Sequence, residues 1–233
     1  MIDLNRRPCA AALVAALALP LLAGCLGGRL PARELYRLAP PPAPASPVIE
    51  LRSEAAAPLT GSLAVLPYVT PGLYGGGGIV FRVGETQYGV YPSREWALPL
   101  GDQLGLMTRQ ILREHPLADG QALYDPPSRR NHTYSWRGVV RNFDEVGRGD
   151  TVYAGVHLEA QLVRTADDSV LWSGAASRER RVLRADMPGI VETLSALAHE
   201  VISELVADAR RSASVARANG HGPTGIPRQG GRR

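Results

Sequence analysis

Lysine is missing altogether: all 26 basic side chains of the 233-residue chain are arginine. We read this as biased codon usage rather than chemistry. An arginine surface built to grip nucleic acid would also carry rings for base stacking, and aromatic residues make up only 6% of the chain. Cysteine is almost absent as well. Cys9 and Cys25 are the only two, too few for a disulfide framework. A long apolar run is also lacking. The stretch between Arg7 and Cys25 is short, dominated by Ala and interrupted by Pro20, which makes it a poor permanent membrane span. Even the net charge of +4 is missing from the part expected to fold. Arg6 and Arg7 stand against Asp3 before Cys25, and six arginines with no acid follow from Arg210 onward, so residues 25–209 carry −3. A basic surface for nucleic acid loses its main argument.

What is present begins at the N-terminus. A charged start, an apolar middle and small residues at the end make residues 1–24 a secretory signal. Its end, Leu22-Ala23-Gly24-Cys25, resembles the lipobox of bacterial lipoproteins. That resemblance implies a diacylglyceryl group on the Cys25 sulfur, cleavage just before Cys25 and acylation of the new N-terminus. Several acyl chains, at roughly 0.8 kcal/mol per buried CH₂, give stable anchoring. Cys9 falls in the discarded segment, so the mature chain keeps no free thiol for redox or metal work. Leu26 rather than Asp follows the cysteine. In the sorting that the resemblance implies, this favours the outer membrane, facing the periplasm, over the inner membrane.

Residues 25–62 form a lipidated N-terminus and a Pro/Ala-rich linker, interrupted by ELYRLAP, where Tyr36 to Leu38 are able to pair as a short edge strand. One domain is expected over residues 63–209. Residues 210–233, rich in Gly, Pro and Arg with few large apolar side chains, read as a disordered basic tail. Inside the domain, SLAVLPYV is a strand cut short by Pro67, and GIVFRVG and TQYGVYP form a hairpin around Gly84-Glu85. Leu100, Leu104, Met107 and Ile111 fall at helical spacing. WRGVVRNFDEV and the alternating TVYAGVHLEAQLVRT are strands, and SVLWSGAASRERRV returns as a hairpin partner across Asp167-Asp168. Ile190, Leu194, Leu197, Val201 and Leu205 stripe a long helix. The fold class is α+β: a single domain with a mostly antiparallel sheet and two main helices packed on one face.

No catalytic constellation emerges. Gly75 to Gly78 leads into a strand and lacks the Lys of a phosphate-binding loop. None of the five histidines has metal-ligand spacing, and no Ser sits in a nucleophile elbow. Asp102, Glu145 and Asp150 are explained by turns and caps. The sequence therefore points to no enzyme, no metal and no cofactor. Tyr74, Phe81, Tyr88, Tyr91 and Trp96 gather among glycines and prolines. They are either core or a contact surface, where Tyr and Trp are enriched. Phe81 and Trp96 are expected in the core, and Tyr74, beside the glycine run, at the surface.

These segments carry a resemblance. Tyr36-Arg37-Leu38, the strand Leu63 to Pro67, Pro71-Gly72-Leu73-Tyr74, Ile79-Val80-Phe81-Arg82, Tyr88 to Tyr91 and Arg94-Glu95-Trp96-Ala97-Leu98-Pro99-Leu100 occur in the order found in the ABC-type transport auxiliary lipoproteins, the PqiC-like group. Phe143, the hairpin with Trp172 and the C-terminal helix continue that order across residues 25–209. Glu95 separates Arg94 from Trp96, which are usually adjacent in the family, and the glycine run replaces a more ordinary loop. The resemblance implies a non-catalytic accessory that works beside an MCE-domain substrate-binding protein, a permease and an ATPase. Such systems move phospholipids or other hydrophobic molecules across the envelope. Tyr74, Tyr91 and Arg94 are the residues expected to touch a partner. Self-association is left open. The alternative reading is an outer-membrane lipoprotein that activates or stabilises another envelope machine, such as cell-wall synthesis.

Overall fold

Two strongly alternating strands and their return form the backbone of the molecule. The computed structural model describes residues 32–39, 57–84, 86–120, 122–124 and 132–219. Cys25 and most of the Pro/Ala-rich linker lie outside these residues. The elements in chain order are β1 (Glu34–Tyr36), β2 (Leu63–Val65), a 3-10 turn (Gly72–Gly75), β3 (Gly78–Val83), β4 (Gln87–Trp96), α1 (Leu100–Glu114), β5 (Ala122–Tyr124), β6 (Tyr134–Arg148), β7 (Thr151–Arg164), β8 (Ser169–Arg181) and α2 (Met187–Ala218).

The eight strands form one sheet. β6, β7 and β8 pair antiparallel over nearly their whole lengths. The other edge of β6 is shared end to end: β2 runs parallel to its start and β3 parallel to its end, with a Val69–Val139 bridge between. β5 then flanks β2 in parallel, while β4 pairs antiparallel with β3 and parallel with β1. The sheet is thus α+β and mostly, though not purely, antiparallel: the long ladders are antiparallel and the short ones parallel.

Alternation places Trp136, Val140 and Phe143 of β6 and Ala154, Val156, Leu158, Ala160 and Leu162 of β7 on one face, in the core shared with the helices. A bulge between Val140 and Asn142 shifts the register, so Phe143 rather than Asn142 continues the buried row. Leu104 and Ile111 of α1 and Leu194, Leu197, Val201 and Leu205 of α2 close over that face as their spacing predicts. The start of α2 is set by Asp186, whose carboxylate accepts a hydrogen bond from the Gly189 N–H at 2.8 Å.

The polar groups trapped in this core are satisfied as a chain. Trp136 Nε1 donates to the Tyr68 hydroxyl at 3.1 Å, and that hydroxyl lies 3.0 Å from Thr108 Oγ1 of α1. Tyr68 reaches this place because residue 138 is glycine. A Cβ there would stand 2.2 Å from the Tyr68 ring.

Both predicted domain edges move. β1, Leu38 and Leu59 belong to the packed unit, so it begins before residue 63. α2 continues through Ala218, so residues 210–218, read from sequence as disordered tail, are helical. Extending an existing helix is cheap once its nucleus is formed, and Ala and Arg are strong helix formers.

Candidate partner-binding site

The surface expected to meet a partner is built where β4 breaks its own ladder. Gly78 pairs with Glu95 while Val80 already pairs with Val90, so Tyr91, Pro92, Ser93 and Arg94 bow outward together. Pro92 has no N–H to give the ladder, and Ser93 adopts a φ of 63°, a conformation rare outside glycine. The detour brings Arg94 over Tyr91, its guanidinium 5.0 Å from the ring centroid. The Tyr91 hydroxyl donates to Glu145 Oε2 at 2.6 Å, and its ring packs against Phe81 at 4.9 Å. On the far side, Arg94 Nε lies 3.5 Å from Glu34 Oε2, which also accepts from the Tyr36 hydroxyl at 2.6 Å. A line of alternating charge and ring, Tyr36–Glu34–Arg94–Tyr91–Glu145, therefore crosses β1, β4 and β6. Burial first, and then the Glu145 carboxylate, push the Tyr91 phenol up, so it stays a donor.

Tyr74 belongs to a different cluster. Adjacent residues of a strand point to opposite faces, so Asp144 looks away from Glu145 and from the helices. The Tyr74 hydroxyl donates to Asp144 Oδ2 at 3.0 Å, and Arg82 Nε lies 3.7 Å from the same oxygen. The Asp144 side chain is 0% exposed, and its Oδ1 has no hydrogen-bond partner among the described residues. Burial raises the Asp144 carboxyl above its usual range, outweighing the opposite pull of Tyr74 and Arg82. The same burial raises the Tyr74 phenol.

The structure thus joins Tyr91 and Arg94 and separates Tyr74 from them. Tyr74 is half-buried against the core rather than exposed, and Leu73 beside it is the open residue at 46%. Trp96 is buried and meets Phe143 edge-on at 5.8 Å, whereas Phe81 is only partly covered. The glycine run is not a loose loop. It closes the 3-10 turn and starts β3, with Gly77 at φ 82° and Gly78 set where a Cβ would meet Val90 at 2.3 Å.

Sequence reasoning set Glu145 aside and passed over Glu34 and Asp144. Their only signal was acidic residues placed opposite Tyr or Arg, which becomes visible once the register is known. Among the described residues, no group of three or more His, Cys, Asp or Glu is placed to hold a metal ion. No described helix is long and apolar enough to cross a membrane.

No family model matches the chain, and no curated protein is similar to it in sequence. Solved structures do share its architecture. The crystal structure of protein XCC0632 from Xanthomonas campestris, described under the family model DUF330, superposes with a TM-score of 0.59 at 19% identity, covering 79% of this chain and 99% of that one. The crystal structure of an uncharacterized protein gives a TM-score of 0.56 at 16% identity, covering 76% of this chain and 98% of its own. The likeness is one of fold.

Proposed function

We propose that the protein is a lipid-anchored, non-catalytic accessory subunit of an MCE-type ABC transport system for phospholipids or other hydrophobic molecules. It would be held through Cys25 in the outer membrane, facing the periplasm. The observation that carries this reading is a convergence. Tyr36-Arg37-Leu38 lies about 40 residues before the other segments bearing the resemblance to the auxiliary lipoproteins, yet it folds with Ile79 to Arg82, Tyr88 to Tyr91 and Arg94 to Leu100 into one flank. Tyr36 lies opposite Trp96, Glu34 opposite Arg94, and β3 beside β4. The fold shared with the DUF330 protein supports it. Tyr91 and Arg94 are the partner contacts in this reading, because both are partly open to solvent and the cation–ring stack fixes their geometry. Tyr74 acts by holding the turn that precedes β3.

Two measurements test the reading. Cys25→Ser is expected to abolish incorporation of a palmitate analogue, since a hydroxyl cannot replace the thiolate nucleophile. Equal labelling of variant and wild type overturns the anchor. Arg94→Ala is expected to keep a native circular dichroism spectrum and to lose co-purification with the MCE-domain protein. A folded Arg94→Ala chain that retains the partner removes this surface from the interface.

A further inference from the structure

Arginine pairing divides the molecule unevenly. On the sheet, most arginines stand beside carboxylates: Arg137 with Asp168, Arg141 with Glu159, Arg148 with Glu179 and Arg180 with Glu200, at 2.7–2.8 Å. Arg37, Arg109 and Arg113 have no acidic partner among the described residues. All three line one pocket of about 310 Å³, together with His199 of α2, and no acid lines it. Arg109 and Arg113 are four residues apart and so share a face of α1. Arg109 Nε is buried without a hydrogen-bond partner. Arg109 is partly buried, while Arg37 and Arg113 are exposed. Grouping three cations without an acidic partner at one pocket is unfavourable, and the net charge of −3 over residues 25–209 makes the local positive patch more notable.

The pocket is also held in shape. Gln103 accepts from the Leu38 N–H at 2.7 Å and donates to the Leu98 carbonyl at 2.8 Å. One side chain of α1 therefore ties down both the segment that carries Arg37 and the loop before the helix. Gln110 is the other polar residue of the wall, and the rest of the lining is apolar: Leu38, Leu98, Leu106 and Met107, with Leu98 half exposed at the rim. Guanidinium groups match phosphate oxygens by charge and by their planar fork. A pocket for inorganic phosphate alone has no use for four apolar side chains. A volume of 310 Å³ sits at the lower end of the roughly 300–1,000 Å³ typical of small-molecule sites.

We infer that this pocket between α1, α2 and the segment following β1 binds the phosphate headgroup of an anionic amphiphile, with Arg37, Arg109 and Arg113 on the phosphate and Leu98, Leu106 and Met107 against the first methylenes. The site lies apart from Tyr91 and Arg94, and it stands on the arginine geometry rather than on the transport reading.

Isothermal titration of the full chain with dihexanoyl phosphatidic acid tests the site, with dihexanoyl phosphatidylcholine and inorganic phosphate as parallel arms. Saturable binding at one site is expected for phosphatidic acid, with weaker binding of the other two. Arg109→Gln and Arg113→Gln are each expected to weaken it by about tenfold or more, the scale of one lost charged hydrogen bond. Arg181→Gln, at an exposed arginine of β8 outside the pocket, is expected to leave it unchanged. Circular dichroism melts identify any variant that fails to fold, and Arg37→Gln, on an exposed side chain, then serves in its place. The assignment is overturned if phosphatidic acid shows no saturable binding, or if Arg181→Gln weakens it as much as the pocket variants do. Inorganic phosphate binding as tightly as the lipid overturns the amphiphile. These outcomes are independent of whether an MCE protein co-purifies.

Discussion

The β6–β7–β8 half of the sheet and the flank made by β1, β3 and β4 are held together by different means. The hairpin half lies under α2 and buries an unbroken apolar row, crossed by the stacked Trp136 and Trp172 rings at 5.5 Å. Arg141, Arg148, Arg178 and Arg180 are matched to carboxylates on neighbouring strands or on α2. The flank has short ladders, a bulged strand and rings tied to acids by single hydrogen bonds, Tyr91 to Glu145 and Tyr74 to Asp144. One half spends its side chains on packing, the other on geometry at a surface. Stability should therefore respond to changes in the hairpin half, and recognition to changes in the flank.

The change with the largest expected effect is Trp136→Ala. The residue is 0% exposed, stacks on Trp172 and donates to Tyr68. Truncation of a buried ring of this size costs about 3–5 kcal/mol, read as a lower urea midpoint. A loss below about 1 kcal/mol would mean that the core is not concentrated where the long ladders lie.

A smaller effect, of distinctive sign, is expected at Asp144. Its folded carboxyl is raised above the ordinary value of 3.8, with burial the leading cause. The folded state then binds the proton more tightly than the unfolded chain. This group's contribution to stability rises as pH falls from neutral through the folded pKa and levels off below the unfolded one. Urea midpoints at several pH values should show that dependence in the wild type and not in Asp144→Asn. If the wild type instead loses stability relative to the variant on acidification, the Arg82 ion pair dominates and the carboxyl is depressed.

The two halves also differ in how far they can be read from sequence. β7, the turn at Asp167-Asp168 and the striped faces of both helices follow directly from periods of 2 and 3.6, because each is local and has one wet side. The flank does not. The parallel pairings of β1 with β4 and of β3 with β6 join segments about 60 residues apart, and no local pattern records them. The bulge after Val140 breaks alternation in β6, so Asp144 and Glu145 could not be assigned to faces. Cys25 carries its own short signal, whereas Gln103 looks like one polar residue on a helix until its two backbone partners are known. The C-terminal edge was misplaced for an opposite reason: helix was read from apolar spacing, and α2 outlasts its apolar stripe.

That overrun has little expected consequence. Removing residues 212–233 takes the last turns of α2, where Ala213 packs partly against the core and Val215 is 60% exposed. A cost of at most about 1 kcal/mol follows from so little burial, a shift of roughly 2–4 °C in a domain of this size. A larger drop would make the C-terminus a third structural region, in addition to the two halves.

The smallest effect is expected from Arg180→Ala, and it tests whether the matched charges of the hairpin half contribute to its stability. Arg180 donates from one nitrogen, Nη2, to both oxygens of Glu200 on α2 at 2.8 Å, a shared contact rather than the two-nitrogen fork. Both side chains are nearly half exposed, at 47% and 43%, so water and salt screen the pair. Exposed pairs of this kind are worth about 0.2–1 kcal/mol. The difference between wild type and variant should shrink as salt is raised to about 1 M, where the screening length falls to about 3 Å. A larger cost that persists in salt would show that Arg180 acts through its methylene stem packed along α2. The arginine–carboxylate matching would then belong to packing rather than to charge.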